Sequence, residues 1–170
     1  MIINKQSAEA GTIDAAFAGG VLFRRDTQAI FWNNHQTAVQ RMLDYDTLIG
    51  RDLPSVAAIV SATGSSRFGK FFFGSSEILI PIYKSSAEAV AEHTGADVLL
   101  NFASFRRAYR ITDEALDIPG IRTIMITAEG IPETHARALK LRAGELGKLI
   151  IGPATVGAIT PGAFKIANTG

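Results

Sequence analysis

The chain has 170 residues, of which 47% are hydrophobic, which suits one domain with a substantial core but is too short for two ordinary domains. Lys and Arg total 17 against 16 Asp and Glu, so the net charge of +1 gives no argument for nucleic acid or an anionic membrane as partner. Cysteine is absent, which excludes disulfides and thiol catalysis, and the apolar runs are far shorter than the ~20 residues of a membrane helix. We therefore expect a soluble, cytoplasmic protein.

Short β-branched or aromatic runs alternate with helical patterns from residue 21 onward, after a flexible arm at residues 1–20. The predicted strands are TQAIFW, SVAAIV, EILIPIY, DVLLNF, IRTIMI and KLIIG. The predicted helices are QTAVQRMLDYD, a segment that Ser85 caps and that ends near His93, SFRRAYRITDEAL, and EGIPETHARALKLRAGELG with Pro132 near its start. No strand is assigned to the Gly/Ser-rich segment SATGSSRFGKFFFGSS, and no long element to the tail PATVGAITPGAFKIANTG.

This alternation predicts an α/β fold, a doubly wound, mostly parallel sheet with helices on both faces, of the Rossmann-like kind. The uninterrupted apolar character of SVAAIV fits a strand that is covered on both faces. In such sheets ligands bind where loops leave the carboxyl ends of the strands. We therefore expect functional residues after Trp32, Val60, Tyr83, Phe102, Ile126 and Ile151.

The turn after the first strand contains Asn34, His35 and Gln36 and leads directly into a helix. A nicotinamide dinucleotide fold would place a G-x-G-x-x-G motif here, but the turn has no glycine. Asn tolerates left-handed backbone, and Asn or Thr can cap the helix. The turn either caps itself or offers His35, Gln36 and backbone N–H groups to an anion, and the residues leave both interpretations open.

Hydroxyl and basic side chains follow the second strand, where a dinucleotide site would need an acid for a ribose hydroxyl. They are Ser61, Thr63, Ser65, Ser66, Arg67 and Lys70. Asp52 precedes the strand and so lies at the wrong end. The donors favour a ligand with several phosphates over NAD. The adjoining phenylalanines either stack on an adenine or, as is more common, cover core or form an interface.

Two later strand ends add candidates. After DVLLNF, Phe102 and Arg106 can flank a base or contact a phosphate, and Ser104 either caps the next helix or holds an anion. Arg106 and Arg107 are either solvated or functional, and the helix dipole, which disfavours cations at a helix start, favours function. Glu129 follows IRTIMI and contacts either a ligand or turn amides.

The histidines at 35, 93 and 135 show no metal-ligand spacing, and His93 is interpreted as a charge at the end of a helix. The sequence contains neither G-x-S-x-G nor G-x-x-x-x-G-K-[ST], and it assembles no acid, base and nucleophile. This inventory indicates a binding domain rather than a self-sufficient catalyst.

Six segments resemble the CoA-binding domain of the ATP-citrate lyase family, within the succinyl-CoA synthetase alpha-chain superfamily. They are AVQRMLDYD, PSVAAIV, EILIPIYKS, DVLLNFASFRRAY, IRTIMITAEGIPE and IIGPATVGAITPGAFKIANTG. ITAEGIP and IIGPATVGAITPG are shared in outline across the superfamily, whereas NFAS-x-R and AVQRMLD-[FY]-D are typical of the citrate-cleaving branch and its citryl-CoA synthetase relatives. The resemblance implies that residues 21–170 form a CoA-binding domain, as a fragment or the N-terminal part of a larger chain.

The resemblance also implies a function. Enzymes of this family phosphorylate a histidine from ATP, form citryl-CoA from citrate and CoA, and cleave it to acetyl-CoA and oxaloacetate. ATP, magnesium, the phosphorylated histidine and cleavage belong to other domains, the CoA-ligase and citrate-synthase-like modules, so this segment is expected to bind CoA and to be inactive alone. The CoA contacts that the resemblance implies are Phe102, Ser104, Arg106, Lys70, Asn34, His35, Gln36 and Glu129.

Three alternatives stay open. The first alternative, within the same superfamily, is a fragment of a citryl-CoA or succinyl-CoA synthetase subunit. The second, suggested by the fold class alone, is a nicotinamide-binding oxidoreductase domain. The missing glycine motif and the position of Asp52 argue against it. The third, suggested by the dense aromatic residues, is an assembly module that loses its affinity for CoA when isolated.

Overall fold

A computed structural model of the chain describes residues 22–64 and 66–168. The arm predicted at residues 1–20, and Ser65, lie outside the described residues. In chain order the elements are β1 Gln28–Trp32, α1 Gln36–Leu48, β2 Val56–Val60, β3 Phe68–Phe73, β4 Ser76–Tyr83, α2 Ser86–Glu92, β5 Ala96–Asn101, α3 Phe105–Leu116, β6 Thr123–Ile126, α4 Glu133–Glu145, β7 Leu149–Ile151, β8 Gly157–Thr160 and β9 Phe164–Ala167.

Seven strands form one sheet in the order β3-β4-β2-β1-β5-β6-β7. Its neighbouring strands are parallel except for β3 and β4, which form an antiparallel hairpin at one edge. The predicted doubly wound, mostly parallel fold is therefore confirmed. From the adjacent central strands β1 and β5 the chain continues toward opposite edges of the sheet, so the switch point of the fold lies between their carboxyl ends.

Both faces of the sheet are covered because successive strand residues point to opposite sides. Along β1, Ala29 and Phe31 pack in a core with α1 and the hairpin formed by β8 and β9. Ile30 and Trp32 pack in a second core with α2, α3 and α4. Trp32, the most exposed of these four residues, is only 8% exposed, which explains the apolar character of the whole strand.

Strand β3 is the strand of the seven-stranded sheet that the sequence interpretation missed. Gly69 lies opposite Ile80, and Phe71 opposite Ile78, on the covered side of the hairpin. Phe68 and Phe72 alternate with them and are 55% and 56% exposed. Because aromatic residues occupy both faces, the strand lacks the alternation of apolar and polar residues that marks a half-buried strand in a sequence.

Two predicted helix starts, those of α2 and α4, are confirmed. The hydroxyl of Ser85 accepts a hydrogen bond from the Glu88 N–H at 3.2 Å at the start of α2, and α4 begins directly after Pro132 with Glu133 in its first turn. The tail contains only the two four-residue strands β8 and β9, in agreement with the expectation of no long element.

His93 ends α2 as predicted, but the interpretation as a charge is wrong. Its ring nitrogen Nε2 lies 3.0 Å from the hydroxyl of Tyr83, and its backbone N–H donates to the Ala89 carbonyl at 3.0 Å. Burial lowers the pKa of His93 below its ordinary value of 6.5, so the ring is neutral at pH 7.

We expect the free energy of unfolding to fall as the pH drops below about 6.5, because the unfolded chain then binds a proton that folded His93 resists. The contribution is complete above the unfolded pKa and is lost as the pH falls through the folded pKa. Urea titrations at about pH 7.5 and 5.5 measure the difference. It should shrink in His93→Gln, and an unchanged difference would show that His93 is not the group responsible.

Candidate functional site

A cleft of about 160 Å³ opens at the switch point, where β1, β2 and β5 end. Its lining consists of Trp32, Asn33, Val60, Ser61, Ala62, Thr63, Ala103, Ser104 and Arg107. This is the edge of the sheet at which the fold class predicts ligand binding. Among these lining residues Arg107 supplies the charge and none is acidic, so the cleft is suited to an anion.

Hydrogen bonds tie the three strand ends together. The chain leaves β1 at Asn33, whose φ of 80° is in the left-handed region that the sequence analysis expected Asn to tolerate. The Asn33 N–H donates to the Val60 carbonyl at 2.9 Å, and its Nδ2 donates to the Phe102 carbonyl at 3.2 Å. The Phe102 N–H donates to the Trp32 carbonyl at 3.0 Å. These bonds fix the walls of the cleft relative to one another.

The turn before α1 caps itself, as one of the two interpretations proposed, but with a different residue. His35 is the capping residue rather than an Asn or Thr, since its Nδ1 accepts from the Ala38 N–H at 3.3 Å. The His35 ring lies 5.0 Å from the Phe102 ring, which stacks at 5.1 Å on Phe31. His35 and Phe102 therefore form an aromatic ledge on the α1 side of the strand ends, where the neighbouring residues 34 and 36 are exposed.

Asn101, the last residue of β5, anchors the loop that lines the other side of the cleft. It is fully buried, and its Nδ2 donates to the Ala108 carbonyl and to Thr112 Oγ1, each at 3.0 Å. Its Oδ1 accepts from the Ala103 N–H at 3.0 Å. The start of α3 is thereby held against the sheet. The sequence analysis missed this role because an Asn in an apolar strand gives no indication of its partners.

Helix α3 places three predicted residues in different surroundings. Ser104 precedes the helix and lines the cleft, and its hydroxyl makes no capping hydrogen bond. The guanidinium carbon of Arg107 lies 4.9 Å from the Trp32 ring centroid, at the cleft wall. Arg106 instead lies over the exposed ring of Phe105, at 5.6 Å, and does not line the cleft.

Lys70 and Glu129 lie away from the cleft lining. Lys70 belongs to the edge strand β3, and its Nζ is 3.3 Å from Glu77 Oε1 in an exposed ion pair. Glu129 is exposed in the turn after β6, where the Ala128 carbonyl accepts a hydrogen bond from the Ala154 N–H at 3.0 Å. The roles of both residues stay predictions.

Neither a metal-binding cluster nor a membrane-spanning helix is found in the part of the chain that the structure describes. Residues 22–64 and 66–168 contain no group of three or more His, Asp or Glu side chains placed to hold a metal ion. None of their helices combines the length and the apolar character that crossing a membrane requires.

Trp32 is a functional candidate that the sequence analysis named only as the end of a strand, and Arg107 was named only together with Arg106. Two signals point to them. Alternation along β1 places Trp32 on the same face as Ile30, and a separation of three residues places Arg107 near Ser104 at the start of α3. Neither signal reveals that the two faces meet at one cleft, since that depends on strand order.

Comparison with known proteins finds relatives that are much longer than this chain, and no family model matches it. The chain is 52% identical over 149 residues to ATP-citrate synthase of Homo sapiens and 49% identical over 149 residues to probable ATP-citrate synthase subunit 1 of Schizosaccharomyces pombe. Each match covers 88% of this chain, but only 14% of the human protein and 24% of the yeast protein.

A solved structure shows the same similarity. ATP citrate lyase from Methanothrix soehngenii, in complex with citrate and coenzyme A, matches 88% of this chain and 24% of its own, with 43% identity and a TM-score of 0.85. The resemblance that the sequence motifs indicated is therefore confirmed, for one segment of these longer proteins.

Proposed function

We propose, on the premise that this chain is homologous to one segment of the ATP-citrate synthases, that it forms the CoA-binding domain of such an enzyme. The whole enzyme would make acetyl-CoA and oxaloacetate from citrate, CoA and ATP through citryl-CoA. ATP, magnesium, the phosphorylated histidine and the cleavage step would belong to other segments. This chain would hold CoA, whose thiol takes up the acyl group.

The donor set of the cleft is the observation that carries this proposal. Ser61, Thr63 and Ser104 offer hydroxyls, Asn33 an amide and Arg107 a guanidinium, and none of the lining residues is a carboxylate. Such donors suit the oxygens of phosphate groups. NAD would need an acid for its ribose hydroxyl, whereas CoA carries a phosphate at that ribose. The residues present therefore fit CoA better than NAD.

The other residues implied by the family resemblance would contact CoA outside the cleft. CoA is far longer than the cleft, so its remaining parts must run over the surrounding loops. The ledge of His35 and Phe102 adjoins the cleft through the bond from Asn33 to the Phe102 carbonyl, and it offers an apolar surface with polar neighbours Asn34 and Gln36. Following the family resemblance, we assign Arg106 to the nucleotide part of CoA, Lys70 to one of its phosphates, and Glu129 to the neighbourhood of the pantetheine arm.

Titration calorimetry of the chain with CoA and with NAD tests the proposed function. We expect CoA to bind at least about tenfold more tightly, a difference of about 1.4 kcal/mol. Equal affinities, or tight binding of NAD alone, would contradict the proposal and favour an oxidoreductase domain. If the isolated chain does not bind CoA but binds it once the remaining segments of the enzyme are added, the site is formed jointly by this chain and those segments.

Arg106→Ala is expected to weaken CoA binding by about 1–3 kcal/mol, because it removes a charged hydrogen bond to the ligand. Arg137→Ala is the matched control, since it deletes the same charge from an exposed pair with Glu133 on α4. Calorimetry should find the control indistinguishable from the parent chain. An Arg106→Ala variant with unchanged CoA affinity would remove Arg106 from the site.

We propose further that the CoA-ligase and citrate-synthase-like modules pack on the outer face of the β3–β4 hairpin. Phe68, Phe72 and Leu79 share this face with the Lys70–Glu77 ion pair through the cross-strand register, and each of the three apolar side chains is more than half exposed. Lys70 would therefore contact CoA at the margin of this interface. The matched segment makes up 24% or less of the two relatives above, so those proteins have ample chain to cover it. We assign the assembled enzyme to the cytoplasm.

A further inference from the structure

Arg107 is held against an aromatic ring at the wall of the cleft. Its guanidinium carbon lies 4.9 Å from the centroid of the Trp32 ring, and Trp32 is almost completely buried. Within the described residues no carboxylate lies within ion-pair distance of Arg107, whereas Arg110 on the same helix pairs with Glu114 at 2.6 Å. The ring restrains the guanidinium without using its N–H groups, so its donors remain available to a ligand.

Uncharged donors from three strand ends surround the same space. Ser104 Oγ makes no capping bond, and Ser61 Oγ accepts a hydrogen bond from the Gly64 N–H at 3.2 Å, which leaves its own proton free to donate. Thr63 and Asn33 complete the lining. A volume of about 160 Å³ is about ten times the roughly 10–15 Å³ that a cavity needs to hold one water molecule, so the cleft has room for a tetrahedral oxyanion.

The floor of the cleft suits the end of a ligand rather than its middle. Trp32, Val60 and Ala103 line it and are all buried, so a chain cannot continue through this side. A terminal phosphate presents three free oxygens, which matches a guanidinium fork together with several hydroxyls. A bridging phosphate has fewer free oxygens and must have room for the ligand on both sides.

We infer that Arg107 binds the terminal phosphate at the ribose of CoA, and that this contact sets the preference for CoA over dephospho-CoA. The inference rests on the proposed function and goes beyond it, since it assigns one phosphate to one side chain. The neighbouring Arg106 does not share this role, because it lies over Phe105 rather than Trp32.

Calorimetric titration of Arg107→Ala with CoA and with dephospho-CoA, at one fixed salt concentration, tests the inference. We expect the affinity for CoA to fall about 10- to 100-fold, as for a lost charged hydrogen bond, and the affinity for dephospho-CoA to stay within about twofold. Arg107→Lys keeps the charge but loses the planar fork, so its affinity for CoA should lie between that of the parent chain and that of Arg107→Ala. Adenosine 3′,5′-bisphosphate should lose affinity as CoA does.

Arg110→Ala is the matched control, since it removes the same charge from the same helix at an exposed ion pair. It should bind both ligands as the parent chain does. An equal loss for CoA and dephospho-CoA in Arg107→Ala would overturn the assignment to the terminal phosphate, and no loss would overturn the role of Arg107. Failure of the parent chain to prefer CoA over NAD would instead contradict the proposed function, so the two failures are distinguishable.

Discussion

Asn101→Asp is expected to destabilise the fold by about 3–5 kcal/mol at pH 7, because it places an unpaired charge in the core. One carboxylate oxygen can still accept from the Ala103 N–H, but the other faces the Ala108 carbonyl oxygen in place of the present N–H donor. Residue 101 is fully buried, so water does not solvate the charge. Urea unfolding, followed by the fluorescence of the single tryptophan, measures the loss.

Acidification should reverse part of this loss, because a protonated carboxyl can donate to the Ala108 carbonyl as the amide does. Burial raises the pKa of the new carboxyl, so the variant is most stable at low pH and loses stability as the pH rises through that pKa. Asn34→Asp makes the same change at an exposed position and should cost less than about 0.5 kcal/mol. An Asn101→Asp variant as stable as the parent chain would show that the amide does not anchor α3.

Arg51→Ala is expected to lower the free energy of unfolding by a similar amount, about 3–5 kcal/mol. Arg51 lies near the amino end of β1, away from the cleft. The buried guanidinium donates to the carbonyls of Thr27, Leu53 and Ala163 at 2.9 to 3.2 Å. It also lies 3.4 Å from Asp46, whose carboxylate accepts from the Ser55 N–H at 2.6 Å. Removing Arg51 leaves that carboxylate buried without its cation. Urea unfolding measures the loss.

Two further variants separate the lost charge pair from the lost side chain. Burial raises the pKa of Asp46, so the variant Asp46→Asn removes a charge that is costly to bury, and it should restore part of the stability when combined with Arg51→Ala. Arg24→Ala breaks an exposed pair with Asp26 and should cost at most about 1 kcal/mol. If Arg51→Ala and Arg24→Ala cost the same, the buried pair does not clamp β1 to the hairpin of β8 and β9.

The sequence predicted the parallel part of the fold because each of those strands is short, apolar and bounded by a clear helix signal. IRTIMI and SVAAIV are examples, since burial on both faces leaves few polar residues in either. Strand β3 escaped notice because Gly69 and its aromatic neighbours look like a Gly-rich connection, and their pairing with β4 is visible only in three dimensions. Local propensity identifies elements, but it does not identify which edge of a sheet they join.

The candidate site was predicted at the level of its location but not of its key contacts. The sequence predicts ligand binding at six strand ends, and the cleft lies at three of them, with the anion-ligand candidates Ser61, Thr63 and Ser104 in its lining. Arg106 and Arg107 were indistinguishable in sequence because the rotation of α3 about its axis decides which one reaches Trp32. That rotation follows from the bonds of the buried Asn101, which composition and spacing do not reveal.

A crystal structure of the chain grown in the presence of CoA tests most directly whether the ends of β1, β2 and β5 hold the phosphorylated end of that cofactor. We predict phosphate density between Arg107, Ser104 and Ser61, with the rest of the molecule leaving over the neighbouring loops. Finding CoA on another surface, or an empty cleft in every copy even with the remaining segments of the enzyme present, would contradict this assignment.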